Sequence, residues 1–202
     1  MRTLTPNVKV ESIVRVQNIS MWQSYAVKRQ TIAMREDQKS ILKDGKVEIA
    51  ELTKASNEKT WLFHGTDEDT VPKIASQGFN RSFCGKNATM FGKGVYFARD
   101  ASYSSSTTYS RPNGKGIQHM FLCRVVVGAY TQGVKNALTP DVRNGNLLYD
   151  TTVNDMYSPG IYVTYHDAQA CALSALDPPS NLCRAAMATH PPCSYSPGLW
   201  GC

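Results

Sequence analysis

Two stretches decide how this chain is read: Thr60-Trp61-Leu62-Phe63-His64-Gly65 and, downstream, Gly92-Lys93-Gly94-Val95-Tyr96-Phe97-Ala98. The first is an apolar, aromatic run that stops at a glycine, and the second is a glycine pair leading into a short apolar run, so both read as strands. Between them, Asp67, Glu68 and Asp69 crowd the start of a helix that carries Val71, Ile74 and Ala75 and ends at Gly78. Anions suit a helix's N-terminal end and glycine its C-terminal end. The interval from Gly78 to Gly94 also holds Gly85 and Gly92 and no long apolar run, which predicts a long loop. Such a loop in a compact domain commonly carries function.

Working outward, Val8, Val10, Ile13, Val14 and Val16 predict a strand. Asn18 or Ser20 caps a helix beginning near Met21, where Trp22, Tyr25, Ala26, Arg29 and Ile32 recur at helical spacing and put Trp22 and Tyr25 in the core. Toward the other end, the serine- and threonine-rich run from Ala101 to Tyr109 starts a helix capped by Asp100, and Met120 to Gly128 and Ile161 to Tyr165 read as strands. Helices and strands intermix without a regular βαβ rhythm, which predicts an α+β fold with mainly antiparallel sheets. From Cys171 the chain changes character: Asp177-Pro178-Pro179, His190-Pro191-Pro192 and Ser196-Pro197-Gly198 break regular elements and charges almost vanish. Residues 1–170 are therefore expected to form the domain and residues 171–202 an irregular tail.

The 202 residues are 42% hydrophobic and 19% charged, the balance of a folded domain rather than a disordered chain. There is no apolar run of membrane-spanning length, and Met1 to Val10 lacks the apolar centre of a signal peptide, so an intracellular protein, nuclear or cytoplasmic, is expected. The net charge of +6 is spread over separated cations such as Lys28, Arg29, Arg35 and Lys39, which predicts a solvated basic surface rather than a nucleic-acid site. Cys84 and Cys123 sit in apolar surroundings and are expected to be buried and reduced. His190 and Cys193 lack a regular metal-ligand spacing, so no metal is expected.

The residues that carry chemistry are His64, Gly65, Tyr96, Ser104 and Tyr109. Each alone has an ordinary reading: a histidine ending a strand, core tyrosines, one serine among several, a glycine in a turn. Together and in this order they suit a flat cationic ring such as nicotinamide joined to a ribose. Phenol faces attract a ring cation. A glycine lets the backbone N–H and C=O reach a carboxamide edge. A hydroxyl completes that edge, and an imidazole can hold a ribose hydroxyl. Cleaving the nicotinamide–ribose bond needs little acid catalysis, because the pyridinium leaves neutral; the protein must fix the leaving group, hold the ribose and bring up a nucleophile.

From about Val8 to Ala170 the chain resembles the catalytic domain of the poly(ADP-ribose) polymerase (PARP) family, most closely its mono-ADP-ribosylating, macrodomain-associated branch. The strings that carry the resemblance include Val14-Arg15-Val16-Gln17-Asn18, Asn57-Glu58-Lys59-Thr60, Phe63-His64-Gly65-Thr66, Gly78-Phe79-Asn80-Arg81-Ser82, Gly92-Lys93-Gly94-Val95-Tyr96-Phe97-Ala98, Ala101-Ser102-Tyr103-Ser104 and Thr108-Tyr109-Ser110-Arg111-Pro112. The resemblance implies the ADP-ribosyltransferase fold, with two packed, mainly antiparallel sheets, and NAD as co-substrate. It implies that His64 holds a ribose, Gly65 and Ser104 the carboxamide, and Tyr96 and Tyr109 the nicotinamide faces. It also implies that the segment from Phe79 to Lys93 covers the donor site.

In Ser158-Pro159-Gly160-Ile161-Tyr162-Val163, Ile161 falls where chain-building members carry a catalytic glutamate. An aliphatic side chain accepts neither a hydrogen bond nor a proton, so transfer of a single ADP-ribose to a protein acceptor, the protein itself included, is expected. Cys171-Ala172-Leu173-Ser174-Ala175-Leu176 replaces the family's tyrosine- and leucine-rich closing strand. That departure keeps a second reading open: a weak or inactive binding module on the same fold. A third, NAD hydrolysis with no protein acceptor, uses the same donor residues.

Overall fold

The structure, a computed structural model, describes residues 9–43, 46–83 and 89–176. Strand β1 (Val14–Arg15) leads into helix α1 (Ile19–Ile41), followed by the hairpin strands β2 (Leu42–Lys43) and β3 (Lys46–Val47), helix α2 (Ile49–Ala55) and the long strand β4 (Glu58–Thr66). Helix α3 (Val71–Gln77) precedes β5 (Val95–Ala98) and the one-turn helix α4 (Ala101–Ser104). Then come β6 (His119–Val126), β7 (Tyr130–Gln132), the hairpin strands β8 (Val142–Asn144) and β9 (Leu147–Leu148), β10 (Thr151–Val153), β11 (Ile161–Thr164) and β12 (Ala170–Leu176).

The main ladder runs β1-β12-β6-β4-β5-β11-β10-β7. Its pairings are antiparallel except β10 with β7. At the centre β4 and β5 share a single pairing, Phe63 with Ala98. The ladder therefore folds about that joint into two halves. Leu62, Phe121, Cys123 and Val125 from one half pack with Val95, Phe97, Val153 and Tyr162 from the other in one apolar core. This is the α+β, mainly antiparallel arrangement read from the sequence, and the joint is where the functional strings meet.

Helix α1 lies against the outside of β6 and β12. Asn18 accepts a hydrogen bond from the Met21 backbone N–H at 3.2 Å, the N-terminal cap expected of it. Tyr25, Ile32 and Ala33 are fully buried, and Tyr25 and Ile32 cluster with Val126 and Cys171. Trp22 departs from its expected core role. It is 38% exposed, stacks on Tyr25 with ring centroids 5.7 Å apart and lies under the Arg124 guanidinium. Beneath it the Glu58 carboxylate, with a fully buried side chain, meets the Tyr25 hydroxyl at 2.6 Å, Arg29 at 3.0 Å and Arg124 at 3.3 Å. A buried carboxylate persists only with such partners, and here they tie α1 to β4 and β6. Burial first, and then the bond to Glu58, raise the Tyr25 phenol well above its ordinary range.

Three further expectations are corrected. Within the described residues, the first strand is confined to Val14–Arg15 rather than running from Val8 to Val16. Asp100 occupies the position before α4, but its side chain makes no capping bond and pairs with Arg99 at 3.3 Å; the helix lasts one turn before the chain curls through Ser110.

Nor is the segment from Cys171 irregular from its start. Ala170–Leu176 forms β12, pairing with β6 from Ala170–Val125 to Leu176–Met120 and with β1 through Val14–Ala175 and Arg15–Ser174. Cys171 and Ala172 are both buried, on opposite faces of the strand. A strand covered on both sides reads as a small apolar run without alternation, and alanine is a poor strand former, so neither pattern nor propensity reveals it. The rest of the expected tail, Cys84, and Cys183, Cys193, Cys202 and His190 lie outside the described residues. Cys123 is buried and free, as expected, and so is Cys171.

Candidate active site

Where β4, β5 and α4 converge, a cavity of about 680 Å³ opens toward α3 and the segment that follows it. His64 and Gly65 from β4, Tyr96 from β5, Ser104 from α4 and Tyr109 beyond it all line it. Ile161 does not. It pairs with Ala98 in the β11–β5 ladder and belongs to an apolar cluster with Val163 and Tyr165, against which Tyr96 and Tyr103 pack.

His64 lies in the last part of β4, opposite Phe121, and the pairing with β6 continues through Gly65 to Thr66. Its Nδ1 lies 2.8 Å from the Tyr96 carbonyl oxygen, which can only accept, so Nδ1 carries the proton and Nε2 is left as an acceptor. The ring stands edge-on to Phe79 at 5.0 Å and against Phe97 at 5.6 Å. Burial among these rings lowers the imidazole pKa, against the smaller opposing effect of the Tyr96 carbonyl, and keeps the ring neutral.

Gly65 is required by packing. A β-carbon there would stand 2.1 Å from the Ser104 carbonyl oxygen and 3.2 Å from the Tyr109 Cβ. The absent side chain lets α4 close on β4. The Ser104 hydroxyl then donates to the Phe63 carbonyl at 3.0 Å and seals the corner. Tyr96 is held by its hydroxyl, which donates to the Gly92 carbonyl at 2.8 Å and accepts from the Phe91 N–H at 3.0 Å. These bonds tie the glycine-rich turn to the tyrosine that follows it. Gly92 has φ +119°, and a β-carbon would collide with the Tyr165 hydroxyl, so only glycine fits that turn.

Tyr103 was not singled out by the sequence. Its ring stacks on Tyr109, centroids 4.8 Å apart and planes 24° from parallel, and the two hydroxyls lie 2.6 Å apart. Burial, and then the bond to Tyr109, raise the Tyr103 phenol above its ordinary range. No periodicity announces this pair. Six residues is not a helical spacing, and the rings meet because the chain curls back after α4 ends. Phe79, 4% exposed, was named only as the start of a covering segment, yet it is the ring that braces His64. Asn80, Ser82 and Phe83 also line the cavity, which agrees with a covering role for this segment, while residues 84–88 lie outside the described ones. At the far end Thr66, Asp67, Thr70 and Lys73 form a polar rim.

The poly(ADP-ribose) polymerase catalytic domain profile matches residues 1–145. The chain belongs to the PARP catalytic-domain family. Among its relatives, the protein mono-ADP-ribosyltransferase PARP14 of Homo sapiens is 39% identical over 165 residues, which are 80% of this chain and 8% of that protein. PARP10 of Mus musculus is 46% identical over 111 residues, 54% of this chain and 12% of that protein. PARP12 of Mus musculus is 32% identical over 197 residues, 96% of this chain and 24% of that protein. This PARP-family chain thus spans less than a quarter of the length of each of these relatives. The PARP14 and PARP12 matches take in most of the chain, and the strands that build the cavity are those of the matched PARP domain.

Proposed function

We propose that this chain is an NAD-dependent protein mono-ADP-ribosyltransferase, and that the cavity is its donor site. One observation carries the reading: residues from four separate strings meet at a single cavity in states suited to this ligand. The nicotinamide lies against the faces of Tyr96 and Tyr109, whose attraction for a ring cation aids binding. Its carboxamide meets the Gly65 backbone and the Ser104 hydroxyl, which turns from Phe63 to do so. The neutral His64 offers Nε2 as acceptor for a ribose hydroxyl. Breaking the bond sends its electron pair to nicotinamide, which leaves neutral; the acceptor side chain forms the new bond to the ribose carbon and gives up its proton to water. Because the cation vanishes as the bond breaks, the tyrosine faces assist binding more than rate.

Ile161 supports the single-unit outcome. Its side chain has no atom that accepts a proton, and it belongs to an apolar cluster with aromatic rings packed against it. The acceptor therefore relies on its own nucleophile, on other proteins or on this one. β12 also removes the feature that favoured the binding-module reading, since the closing strand is present. Incubation with labelled NAD, followed by gel analysis and nicotinamide quantification, tests the proposal. Discrete labelled bands with nicotinamide release support it. Polymer ladders overturn the single-unit claim, free ADP-ribose without labelled protein overturns the transferase claim, and no release at all overturns both.

A further inference from the structure

Most of the polar hydrogens at the aromatic end of the cavity are spent within the protein. The His64 Nδ1–H goes to the Tyr96 carbonyl, the Tyr96 hydroxyl to the Gly92 carbonyl and the Ser104 hydroxyl to the Phe63 carbonyl. The Tyr103–Tyr109 pair is different. Two hydroxyls 2.6 Å apart share one hydrogen between them, which leaves the second hydrogen for an oxygen of a bound molecule. A hydroxyl that accepts one bond donates a stronger one, so the pair is polarised toward whichever side the ligand takes. Both rings line the cavity, and Tyr103 also packs against the cluster that holds Ile161.

We propose that Tyr103 is a donor-site binding residue, whose hydroxyl works with that of Tyr109 as a two-membered relay to hold a hydroxyl of the ribose that carries nicotinamide. The inference rests on the proposed NAD site and adds to it a residue and a ligand group. It separates the nicotinamide part of the site, built from ring faces and the Gly65–Ser104 corner, from the ribose part, built from His64 and the tyrosine relay. Phenylalanine at either position keeps the stacked rings and removes one hydroxyl.

The test compares the full chain with Tyr103→Phe, Tyr109→Phe and the double variant, using two probes: NAD, and benzamide, which has the ring and amide but no ribose. Thermal unfolding without ligand checks that each variant folds. Tyr103→Phe should weaken NAD binding and lower kcat/KM for NAD about five- to tenfold, the usual range for one lost hydrogen bond, and leave benzamide binding within twofold. The double variant should be no worse than the weaker single variant, because the two hydroxyls act through one shared bond. NAD binding unchanged in Tyr103→Phe overturns the proposal. So does equal loss of NAD and benzamide, which would make the pair a packing feature, and so do additive losses in the double variant. If the unaltered chain binds neither probe, the donor site itself is refuted, a result distinct from all of these.

Discussion

Replacing Gly65 with alanine tests the corner on which the site is built. The added carbon would lie 2.1 Å from the Ser104 carbonyl oxygen and 3.1 Å from its carbonyl carbon, where ordinary contact begins near 3.4 Å. Both close atoms are backbone, so no side-chain rotation relieves the clash, and α4 must retreat from β4 by more than about 1 Å. Gly65 is not in the left-handed backbone region, so the whole effect is steric. Overpacking of this kind costs about 1–3 kcal/mol. The retreat also stretches the 3.0 Å bond from Ser104 to Phe63 past a useful length, which adds about 1 kcal/mol. Together these give about 2–4 kcal/mol, or a Tm lower by roughly 5–15 °C for a domain of this size. The same movement displaces Tyr109, so benzamide should raise the variant's Tm by much less than it raises that of the unaltered chain. Differential scanning fluorimetry with and without benzamide reads both effects. A Tm within about 1 °C of the original, with the ligand shift intact, would refute the packing account of Gly65.

Glu58→Ala leaves Arg29 and the Tyr25 hydroxyl without their buried partner and should lower stability by about 3–5 kcal/mol in a denaturant titration. A loss under 1 kcal/mol would mean that water replaces the carboxylate. His64 has its pKa lowered by burial, so above about pH 6.5 it contributes stability, which is lost as the unfolded chain takes up the proton first and pH falls toward the folded-state value. His166, lowered by burial and by Lys28, shifts in the same direction. His64→Gln should therefore lose less stability than the unaltered chain between about pH 7.5 and 5 and keep the His166 share; equal slopes would contradict a neutral, buried imidazole. Ile161→Glu places a carboxyl among Val163, Tyr165 and three further aromatic rings. It should lower Tm and still produce no polymer on gels with labelled NAD; a ladder from this single change would show that residue 161 alone sets product length. A chain ending at Ala170 removes β12, one of the two strands paired with β6, and should lose cooperative unfolding by circular dichroism. An unchanged transition would make β12 dispensable.

The candidate site was legible where packing allows one residue type at one place. Gly65 shows this, because the close approach of Ser104 leaves no room for a β-carbon. Tyr96 sits in a short apolar strand beside the glycine-rich turn that its hydroxyl ties down. Long strands with clear apolar runs, β4 and β6, were readable for the same reason. Tyr103 was not readable, since its meeting with Tyr109 depends on where α4 stops and how the next turn curls. Trp22 was misread because helical spacing sets a face and not its burial, and a guanidinium cover let the indole stay at the surface. β12 was missed because burial on both faces erases alternation and its small residues resemble a linker. Phe79, a ring inside a glycine-rich loop, reads as loop until the fold sets it against His64.

The most direct measurement is a structure of the full chain bound to benzamide, refined well enough to place ring and amide. The ring should lie between the faces of Tyr96 and Tyr109, with the amide on the Gly65 backbone and the Ser104 hydroxyl and with His64 still bonded to the Tyr96 carbonyl. A ligand found elsewhere, or a ring lying against neither tyrosine, would contradict the account.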